Sequence, residues 1–457
     1  MKEEQQQAKR KRQSWYQSMW RWHFYAGIIF APIFIILAVT GSIYLFKPQI
    51  EDALYGDMIF TQETGKPVTL EEQMDAVKDT YPKATITSIG QFEDADRTTR
   101  MGIQVGEEAG YAYVDPYTGE VKGQRMGDGP LGFIKTIHGE LFAGKAGNLL
   151  VELAASWAII LLITGTYLFW PRGEQGSFKR VFLPSFKKSK GSRNFWKGLH
   201  GSVAVWSTLG LLIIIGSGLA WSGVAGEWIN TAATKTNSNF PQYAFGPDET
   251  MQSQVVTKDI AQDIPWATQN DVVPTSGPAK PISMSVTEIA TQAKQLGMER
   301  PYQISLPQGE QGVYTLSSLH SEPLKEKTMN VDQYSGNVLS NVTFADYGFM
   351  AKAISMGIGF HEGRLFGLLN QLVGLALCLG LIFIVVSSFV LWWKRRNGTG
   401  QLSAPKRAVD QRVKRIVALL IVLISLTMPL AALSVFIILI LDFILFRRRT
   451  GKEEVAA

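Results

Sequence analysis

The sequence predicts a membrane all-α helical bundle of six helices, comprising four long spans and a C-terminal two-helix hairpin. The bundle carries two extracytoplasmic α+β modules, and the whole arises by internal duplication. Hydrophobic residues form 46% of the 457-residue chain and charged residues only 18%, against roughly 25% charged residues in soluble proteins. The apolar residues lie in long blocks, and related motifs recur in the two halves. These observations favour a membrane protein built from two similar halves.

Four apolar blocks are long enough to cross about 30 Å of hydrocarbon as helices. They are residues 24–46, 149–170, 201–222 and about 365–393. The first block is longer than the apolar core of a signal peptide and lacks a small-x-small cleavage site. We therefore expect a retained helix there rather than a cleaved leader.

A fifth apolar stretch, residues 416–446, would be about 46 Å long as a helix, which exceeds one ordinary span. Pro429 lies near its middle, and basic residues flank both ends. Because basic flanks favour the cytoplasmic side, both ends are expected on that side. This pattern predicts a hairpin of two short helices, with a single tilted and kinked helix as the alternative.

The charges of the loops predict the orientation, because short cytoplasmic loops collect Lys and Arg. The N-terminal tail and the two short loops are basic, whereas the two long loops contain more acidic than basic residues. Both termini are thus expected in the cytoplasm, and the net charge of +6 reflects membrane orientation rather than a nucleic-acid partner. In chain order we expect a basic cytoplasmic tail (1–19), TM1 (20–46), outer module 1 (47–147), TM2 (148–170), a basic cytoplasmic loop (171–199), TM3 (200–222), an outer linker with module 2 (223–364), TM4 (365–393), a basic cytoplasmic loop (394–412), TM5 (413–428), TM6 (430–446) and a cytoplasmic tail (447–457).

The two outer loops contain matching elements. A Val-Asp-x-Tyr-x-Gly motif occupies residues 114–119 and recurs at 331–336. Such a motif predicts a β-turn between two strands, with Asp bonding the local backbone and Gly supplying a positive φ. Upstream, two S/T-x-x-E capping boxes predict helix starts. These boxes are Thr69 with Glu72 and Ser285 with Glu288.

Four of the five histidines stand near the predicted membrane helices at matching positions of the repeat. His23 and His200 begin helices that run outward, so both are expected near the cytoplasmic surface. His138 and His361 precede helices that run inward, so both are expected near the outer surface. His320 has no counterpart in the first module, and a structural role is expected for it.

Two histidines at one depth on neighbouring helices can supply both axial ligands of a b-type haem. The two pairs predict two b haems, one near each surface, joined in a path for electrons across the membrane. Interfacial histidines that cap helices or bond lipid headgroups and water are the alternative. A zinc or copper site using all four is not expected, because most of the membrane thickness separates the pairs.

Further residues are candidates to orient a metal ligand or to take part in proton transfer. Glu140 and Glu362 closely follow the outer histidines and can orient an imidazole or meet a substrate, or be solvated loop carboxylates. Glu152 and Asp442 lie within apolar spans, where ionisable groups are often functional, although near a helix end either can reach water. Small residues such as Thr40 and Thr164-Gly165 can admit a flat macrocycle or serve close helix packing.

The sequence contains no recognisable phosphate-binding loop or dinucleotide fingerprint, so no NAD or flavin site is expected in this chain. Electrons would then come from a separate donor, such as a quinol or a cytoplasmic reductase. The single cysteine, Cys378, excludes an internal disulfide and a thiolate cluster for iron-sulfur or structural zinc.

Taken with these motifs, the chain resembles the PepSY-associated transmembrane family over nearly its whole length, from about residue 15 to 447. The resemblance implies a bacterial plasma membrane protein with two outer PepSY modules. The motifs that carry it are Trp22-His23 with Thr40-Gly41, His138-Gly139-Glu140-Leu141, Trp196-x-x-x-His200, the two Val-Asp-x-Tyr-x-Gly turns, and Met428-Pro429-Leu430 with Asp442.

Some members of that family look like haem-containing ferrisiderophore reductases of iron uptake. The positions of the haem ligands in those proteins match four histidines here, so the resemblance implies haem ligation by His23, His138, His200 and His361. The second half departs from the first at Ser387-Ser388, where Thr164-Gly165 stand in the first half. Haem seating is therefore not expected to be identical in the two halves.

The function expected from this reading is electron transfer through two b haems to an external acceptor, a ferric siderophore. Reduction to ferrous iron weakens its hold on hard oxygen ligands and promotes release. The alternative is a non-enzymatic, membrane-anchored PepSY regulator that binds a peptidase or a cell-wall partner. A transporter with parallel repeats is a third hypothesis.

Overall fold

The computed structural model divides into two compact units, each described here by itself. The helical unit comprises Met1–Leu45, Lys135–Ile229 and Leu372–Ala457, and the sheet unit comprises Phe46–Ile134 and Asn230–Gln371. The residues that the structure describes are 2–171, 179–183, 191–236, 238, 252–261, 264–278, 282–319, 322–396, 415–416, 419–423 and 427–440.

Helices dominate the chain outside the sheet. Among the described residues, four are long and apolar enough to cross a membrane, which confirms the four predicted spans. These four are Gln13–Tyr44, Gly144–Phe169, Arg193–Trp221 and Gly367–Trp393. The helices are α1 (Lys2–Tyr44), α2 (Lys47–Ile59), α3 (Leu70–Thr80), α4 (Gly129–Glu140), α5 (Gly144–Phe169), α6 (Lys179–Phe182), α7 (Arg193–Gly218), α8 (Gly223–Lys235), α9 (Thr257–Ile260), α10 (Val286–Gln295), α11 (Phe349–His361), α12 (Gly367–Trp393) and α13 (Pro429–Ile440).

The helical unit is held together by an apolar cluster along α1 and α5. Phe30, Phe34 and Trp157 are each less than 10% exposed in this cluster. The short helix α13 joins it through Val435, and its Ser434 hydroxyl accepts a hydrogen bond of 3.0 Å from the Trp157 indole. Parts of the predicted TM5 and of the predicted TM6 fall outside the described residues.

Eight of the ten strands described in the sheet unit form one antiparallel sheet with the order β10-β9-β8-β7-β1-β2-β3-β4. The prediction of two outer modules did not anticipate that their strands join. The join is the pairing of β1 with β7, in which Ile89 lies opposite Ile304. A separate two-stranded sheet pairs β5 with β6. The strands are β1 (Thr85–Gln91), β2 (Thr99–Val105), β3 (Glu108–Val114), β4 (Val121–Met126), β5 (Gln252–Val256), β6 (Val272–Pro274), β7 (Tyr302–Ser305), β8 (Val313–Ser318), β9 (Lys327–Asp332) and β10 (Val338–Thr343).

The two faces of the large sheet have different partners, because successive side chains of a strand point to opposite faces. Met101 of β2 is fully buried in a core with Ile89, Ile289 of α10 and Val77 of α3. The opposite face of β3 carries Tyr111 and Tyr113, which pack against Ile59, Tyr55 and Phe60 in and beside α2. Helices α3 and α10 thus cover one face, and α2 lies on the other.

Both predicted capping boxes are confirmed. The Thr69 hydroxyl accepts from the Glu72 amide at 3.2 Å, and Glu72 accepts from the Thr69 amide at 2.8 Å. Ser285 and Glu288 repeat this exchange at the start of α10. Each box satisfies amide groups that the first turn of a helix leaves without partners.

Both Val-Asp-x-Tyr-x-Gly turns are confirmed as well. One oxygen of Asp115 accepts from the Tyr117 amide at 2.8 Å, and one oxygen of Asp332 accepts from the Ser335 amide at 2.7 Å. The glycines have φ of +77° at Gly119 and +70° at Gly336, a conformation that other residues rarely adopt. Burial alone would raise the pKa of Asp115, but the hydrogen bonds from Thr61 and the turn amides lower it.

Candidate functional site

His23 lies in α1 with its imidazole against α5. Its Nδ1 is 3.1 Å from the Thr164 hydroxyl, and the Leu161 carbonyl also accepts a hydrogen bond from the ring. Thr164 donates its own hydrogen to the Ile160 carbonyl at 2.7 Å. When the Thr164 hydrogen is donated to Ile160, the hydroxyl oxygen accepts from His23, and Nδ1 of the ring then carries the proton.

Gly165 also lies against the His23 ring, and Thr164 with Gly165 is called the seat of His23 below. A Cβ atom on it would lie 2.9 Å from Cε1 of His23, which is closer than ordinary van der Waals contact. The Thr164-Gly165 pair therefore combines a hydrogen-bond acceptor with room for the ring. The small residues noted in the sequence here have a more specific use than helix packing.

His138 is seated in the same manner on α1. Its Nδ1 lies 2.9 Å from the Thr40 hydroxyl, which donates to the Ile36 carbonyl at 2.7 Å. A Cβ on Gly41 would lie 3.2 Å from Cε1 of His138. The Thr40-Gly41 pair thus repeats the arrangement of Thr164-Gly165.

His200 of α7 uses a variant of this seat on α12. Its Nδ1 lies 2.9 Å from the Ser387 hydroxyl and 3.1 Å from the Ile384 carbonyl. A carbonyl oxygen can only accept, so Nδ1 of His200 is the donor. Ser388 stands where the other seats have glycine, so this seat keeps the hydroxyl and lacks the glycine.

These contacts assign one tautomer to His23, His138 and His200. With the proton on Nδ1, each neutral ring keeps an unshared electron pair on Nε2. A hydrogen bond from the far nitrogen is the usual way in which proteins orient a metal-binding histidine and raise its basicity. All three rings are half-buried, so each Nε2 is suited to bind a metal or to accept a proton.

His23 and His200 belong to the same unit and lie close to each other. They are near enough that charges on the two rings would repel. Two charged imidazoles in an apolar helical bundle are unfavourable. The pair is therefore expected to be neutral, which is the form that a metal ion requires.

His138 and His361 each lie in the last turn of a short helix, α4 and α11, rather than at the start of a span. Asparagines in the first turns of α5 and α12 bond back to these helices. Asn148 donates to the Gly139 carbonyl at 3.3 Å, and Asn370 donates to the Phe360 carbonyl at 2.9 Å. His138 belongs to the helical unit and His361 to the sheet unit.

The carboxyl groups singled out in the sequence have different surroundings. Glu152 is only 1% exposed and accepts from the amides of Val224 and Ala225 at 2.9 Å and 3.0 Å. A carboxylate at the N-terminus of α8 is favoured by the helix dipole. Capping thus explains the burial of Glu152 without a role in proton transfer.

Glu140 and Glu362 follow the two outer histidines at the helix ends. Glu140 is exposed, whereas Glu362 forms an ion pair of 2.5 Å with Arg364. Asp442 and His320 lie outside the described residues. Sequence reasoning missed Asn148 and Asn370, because their partners lie across a helix break. It named Ser387 as the counterpart of Thr164 but did not foresee the hydrogen bond of Ser387 to His200.

An antiparallel sheet joined to four helices of membrane-spanning length defines a multi-pass membrane protein. The chain belongs to the family described as the PepSY-associated TM region, whose model matches residues 20–395. This match includes all four long helices, the large sheet and the four repeated histidines. No curated protein matches the chain.

Proposed function

We propose that this protein carries electrons across a membrane through two b-type haems and delivers them to an extracytoplasmic ferric siderophore. The observation that carries the proposal is that His23 and His200 lie near each other and that each bonds a hydroxyl through Nδ1, so that Nε2 is the nitrogen suited to bind a metal. Haem iron takes axial ligands through such a nitrogen.

The surroundings of the pair fit a haem. The hydroxyls of Thr164 and Ser387 bond the rings at Nδ1, and metal-binding histidines are usually oriented by such a hydrogen bond at the nitrogen that does not bind the metal. His23 and His200 would hold one haem, and the sequence assigns the second to His138 and His361. A bound haem supplies a one-electron couple, and ligation by two histidines leaves no open position for oxygen.

The protein residues then have three tasks. The histidines are held neutral and oriented, the apolar helices exclude water, and the sheet unit contacts the acceptor. The basic loops favour cytoplasmic termini, and in this proposal the sheet unit faces outward from a bacterial plasma membrane. Ferrous iron binds hard oxygen ligands more weakly than ferric iron, so reduction promotes its release.

We also propose that the chain arose by internal duplication and that it has six membrane helices. The repeat relates Thr164 to Ser387 and His23 to His200, and the two seats they form use the same ring nitrogen. The sequence shows no site for NAD or flavin, so the donor is a separate quinol or cytoplasmic reductase.

Histidine substitutions test the proposal. We expect His23→Ala and His200→Ala each to remove the same one of two haems, measured by the pyridine haemochrome assay and by electron paramagnetic resonance of low-spin ferric haem. His138→Ala and His361→Ala should remove the other haem. His320→Ala is the matched control and should retain both. Full haem content in His23→Ala would contradict the ligand assignment, and colourless wild-type protein would favour the PepSY regulator.

A further inference from the structure

Helix α11 of the sheet unit has one face packed against the rest of that unit. Ala351, Ser355 and Ile358 are each 2% exposed or less, and their spacing of four and three residues puts them on one side of the helix. The Ser355 hydroxyl donates to a Glu326 carboxylate oxygen at 2.5 Å. This inner face is therefore fixed to the fold by close contacts.

The opposite side of α11 is apolar and open. With about 3.6 residues per turn, a second stripe runs along it through Phe349, Ala353, Met356 and Phe360, called the outer stripe below. Phe349 is 81% exposed, and Ala353 is exposed as well. Lys352 is the one charged residue among the 13 of this helix, and its ammonium donates to the Ala345 carbonyl at 2.8 Å. The outer stripe thus presents hydrocarbon and no charge.

Two other helices of the sheet unit have the outer face expected in water. Helix α10 buries Ile289 and Ala293 and exposes Thr291, Lys294 and Gln295. Helix α3 likewise exposes acidic and basic side chains. A helix that is apolar on both sides is typical of a protein interior or of lipid rather than of a surface in water. The outer side of α11 is therefore expected to meet a different medium from those of α3 and α10.

The end of α11 is fastened to the start of a membrane span. Helix α12 begins shortly after α11 ends, and its first turn belongs to the same unit as α11. The Asn370 side chain donates to the Phe360 carbonyl at 2.9 Å and accepts from the Leu365 amide at 3.2 Å. These bonds hold the last turn of α11 beside the first turn of the span.

The exposed apolar surface continues in the chain from α11 into this span. Phe366, between the two helices, is 64% exposed, and Leu368 and Leu369 at the start of α12 are 61% and 67% exposed. Side chains of a spanning helix that are open in the protein face lipid. Because the outer stripe ends beside these residues, the same lipid is within its reach.

We propose that α11 is an interfacial helix whose outer stripe lies among the acyl chains of the membrane leaflet nearest the sheet unit. Helices that lie in the membrane surface have one apolar face in the acyl boundary and a second face outside it. In α11 the second face is covered by the sheet unit instead of by water. The inference depends on the membrane span of α12, and neither haem nor electron transfer enters it.

The test measures the depth of nitroxide labels on the full-length protein in nanodiscs. Cys378 is the single cysteine, so Cys378→Ser gives a background for one label at a time. Phe349→Cys and Ala353→Cys place labels on the outer stripe, Leu369→Cys on the lipid side of the span, and Gln295→Cys in water. Power-saturation electron paramagnetic resonance compares collisions with oxygen, which concentrates in lipid, and with a nickel chelate, which stays in water.

Both labels on the outer stripe should share the oxygen preference of the Leu369 label and lie about 5–10 Å inside the headgroup boundary. The Gln295 label should favour the nickel chelate. Nickel access at positions 349 and 353 equal to that at 295 would show a stripe in water and overturn the proposal. Low access to both reagents would show that protein covers the stripe, as in a second copy of this chain, and would overturn it as well.

A second measurement uses the unsubstituted protein. Nanodiscs contain a phospholipid with a photoactivatable carbene precursor on its acyl chain, and the adducts are mapped by mass spectrometry after tryptic digestion. The peptide 353–364, released by cleavage after Lys352 and Arg364, should carry adducts, as α12 should, whereas α10 should carry none. Labelling of α12 without labelling of 353–364 would overturn the proposal. Protein without haem can be used in both measurements, so a failure of the proposed function leaves their outcome unchanged.

Discussion

The seat of His23 makes a sharp prediction about Gly165. In Gly165→Ala the new methyl group would lie 2.9 Å from Cε1 and 3.6 Å from Nδ1 of the ring. Ordinary contacts require roughly half an ångström more, and the ring cannot retreat without stretching its hydrogen bond to Thr164. Overpacking of this kind costs about 1–3 kcal/mol, which corresponds to a roughly fivefold to 150-fold loss of haem affinity.

The assay is the rate of haem transfer from the purified protein to an excess of apomyoglobin, with electron paramagnetic resonance as a report on ring orientation. Only the haem at His23 should be affected. Gly198→Ala is the control, because no heavy atom lies within 4 Å of a Cβ at that position. Gly41→Ala should have a smaller effect, at the other haem, since its contact with His138 would be 3.2 Å. Unchanged haem release and spectra in Gly165→Ala would refute the reasoning.

Thr164→Val removes one hydrogen bond of about 1 kcal/mol from His23, so haem affinity measured by the same transfer assay should fall about fivefold. Thr166→Val is the control and should have no effect, because the Thr166 hydroxyl bonds the Leu162 carbonyl. Equal losses of haem affinity in the two variants would contradict the role of Thr164. Glu152→Gln should lower the free energy of unfolding in detergent by about 1–2 kcal/mol, because it weakens the cap of α8. Glu140→Gln is the control and should not lower it. Equal melting temperatures of the two variants would contradict the capping role. Burial raises the pKa of Asp271 to about 8, so the folded protein holds a proton that the unfolded chain releases near pH 4. Stability should therefore fall as pH rises from about 4 to 8, by at most about 1.4 kcal/mol per pH unit. In Asp271→Asn the melting temperature should depend less on pH over this range. A pH dependence equal to that of the wild type would contradict the raised pKa.

Features set by neighbouring residues were predictable from the sequence. The capping box at Thr69 and the turn at Asp115 depend on hydrogen bonds between residues two or three positions apart. The long helices follow from apolar length alone, because only about 20 residues of helix cross the hydrocarbon. Each of these predictions needed no knowledge of what the element packs against.

Features set by distant residues were not predictable in the same way. The pairing of Ile89 with Ile304 joins β1 and β7, which are far apart in the sequence, and the residue pattern of one strand does not identify the strand that pairs with it. The ion pairs of Arg97 with Asp52 and of Arg125 with Glu51 could not be anticipated either, because they depend on where α2 lies on the sheet.

His138 shows where local reasoning reached its limit. The sequence suggested that His138 leads directly into the second span. In the structure His138 lies in α4, which ends at Glu140, and the span is a separate helix, α5, which begins at Gly144. Leu141 and Phe142 have φ of +48° and +56°, which is uncommon for residues with a side chain. Nothing in their identity predicts this break, because glycine is the residue expected at a positive φ.

The central claim is that neutral histidines hold haem through Nε2 in this protein. The most direct measurement is the dithionite-reduced minus oxidised absorbance spectrum of the detergent-purified protein, with haem quantified by pyridine haemochrome. The account predicts a b-type spectrum and about two haems per chain. Protein without haem, purified from cells amply supplied with it, would contradict the account.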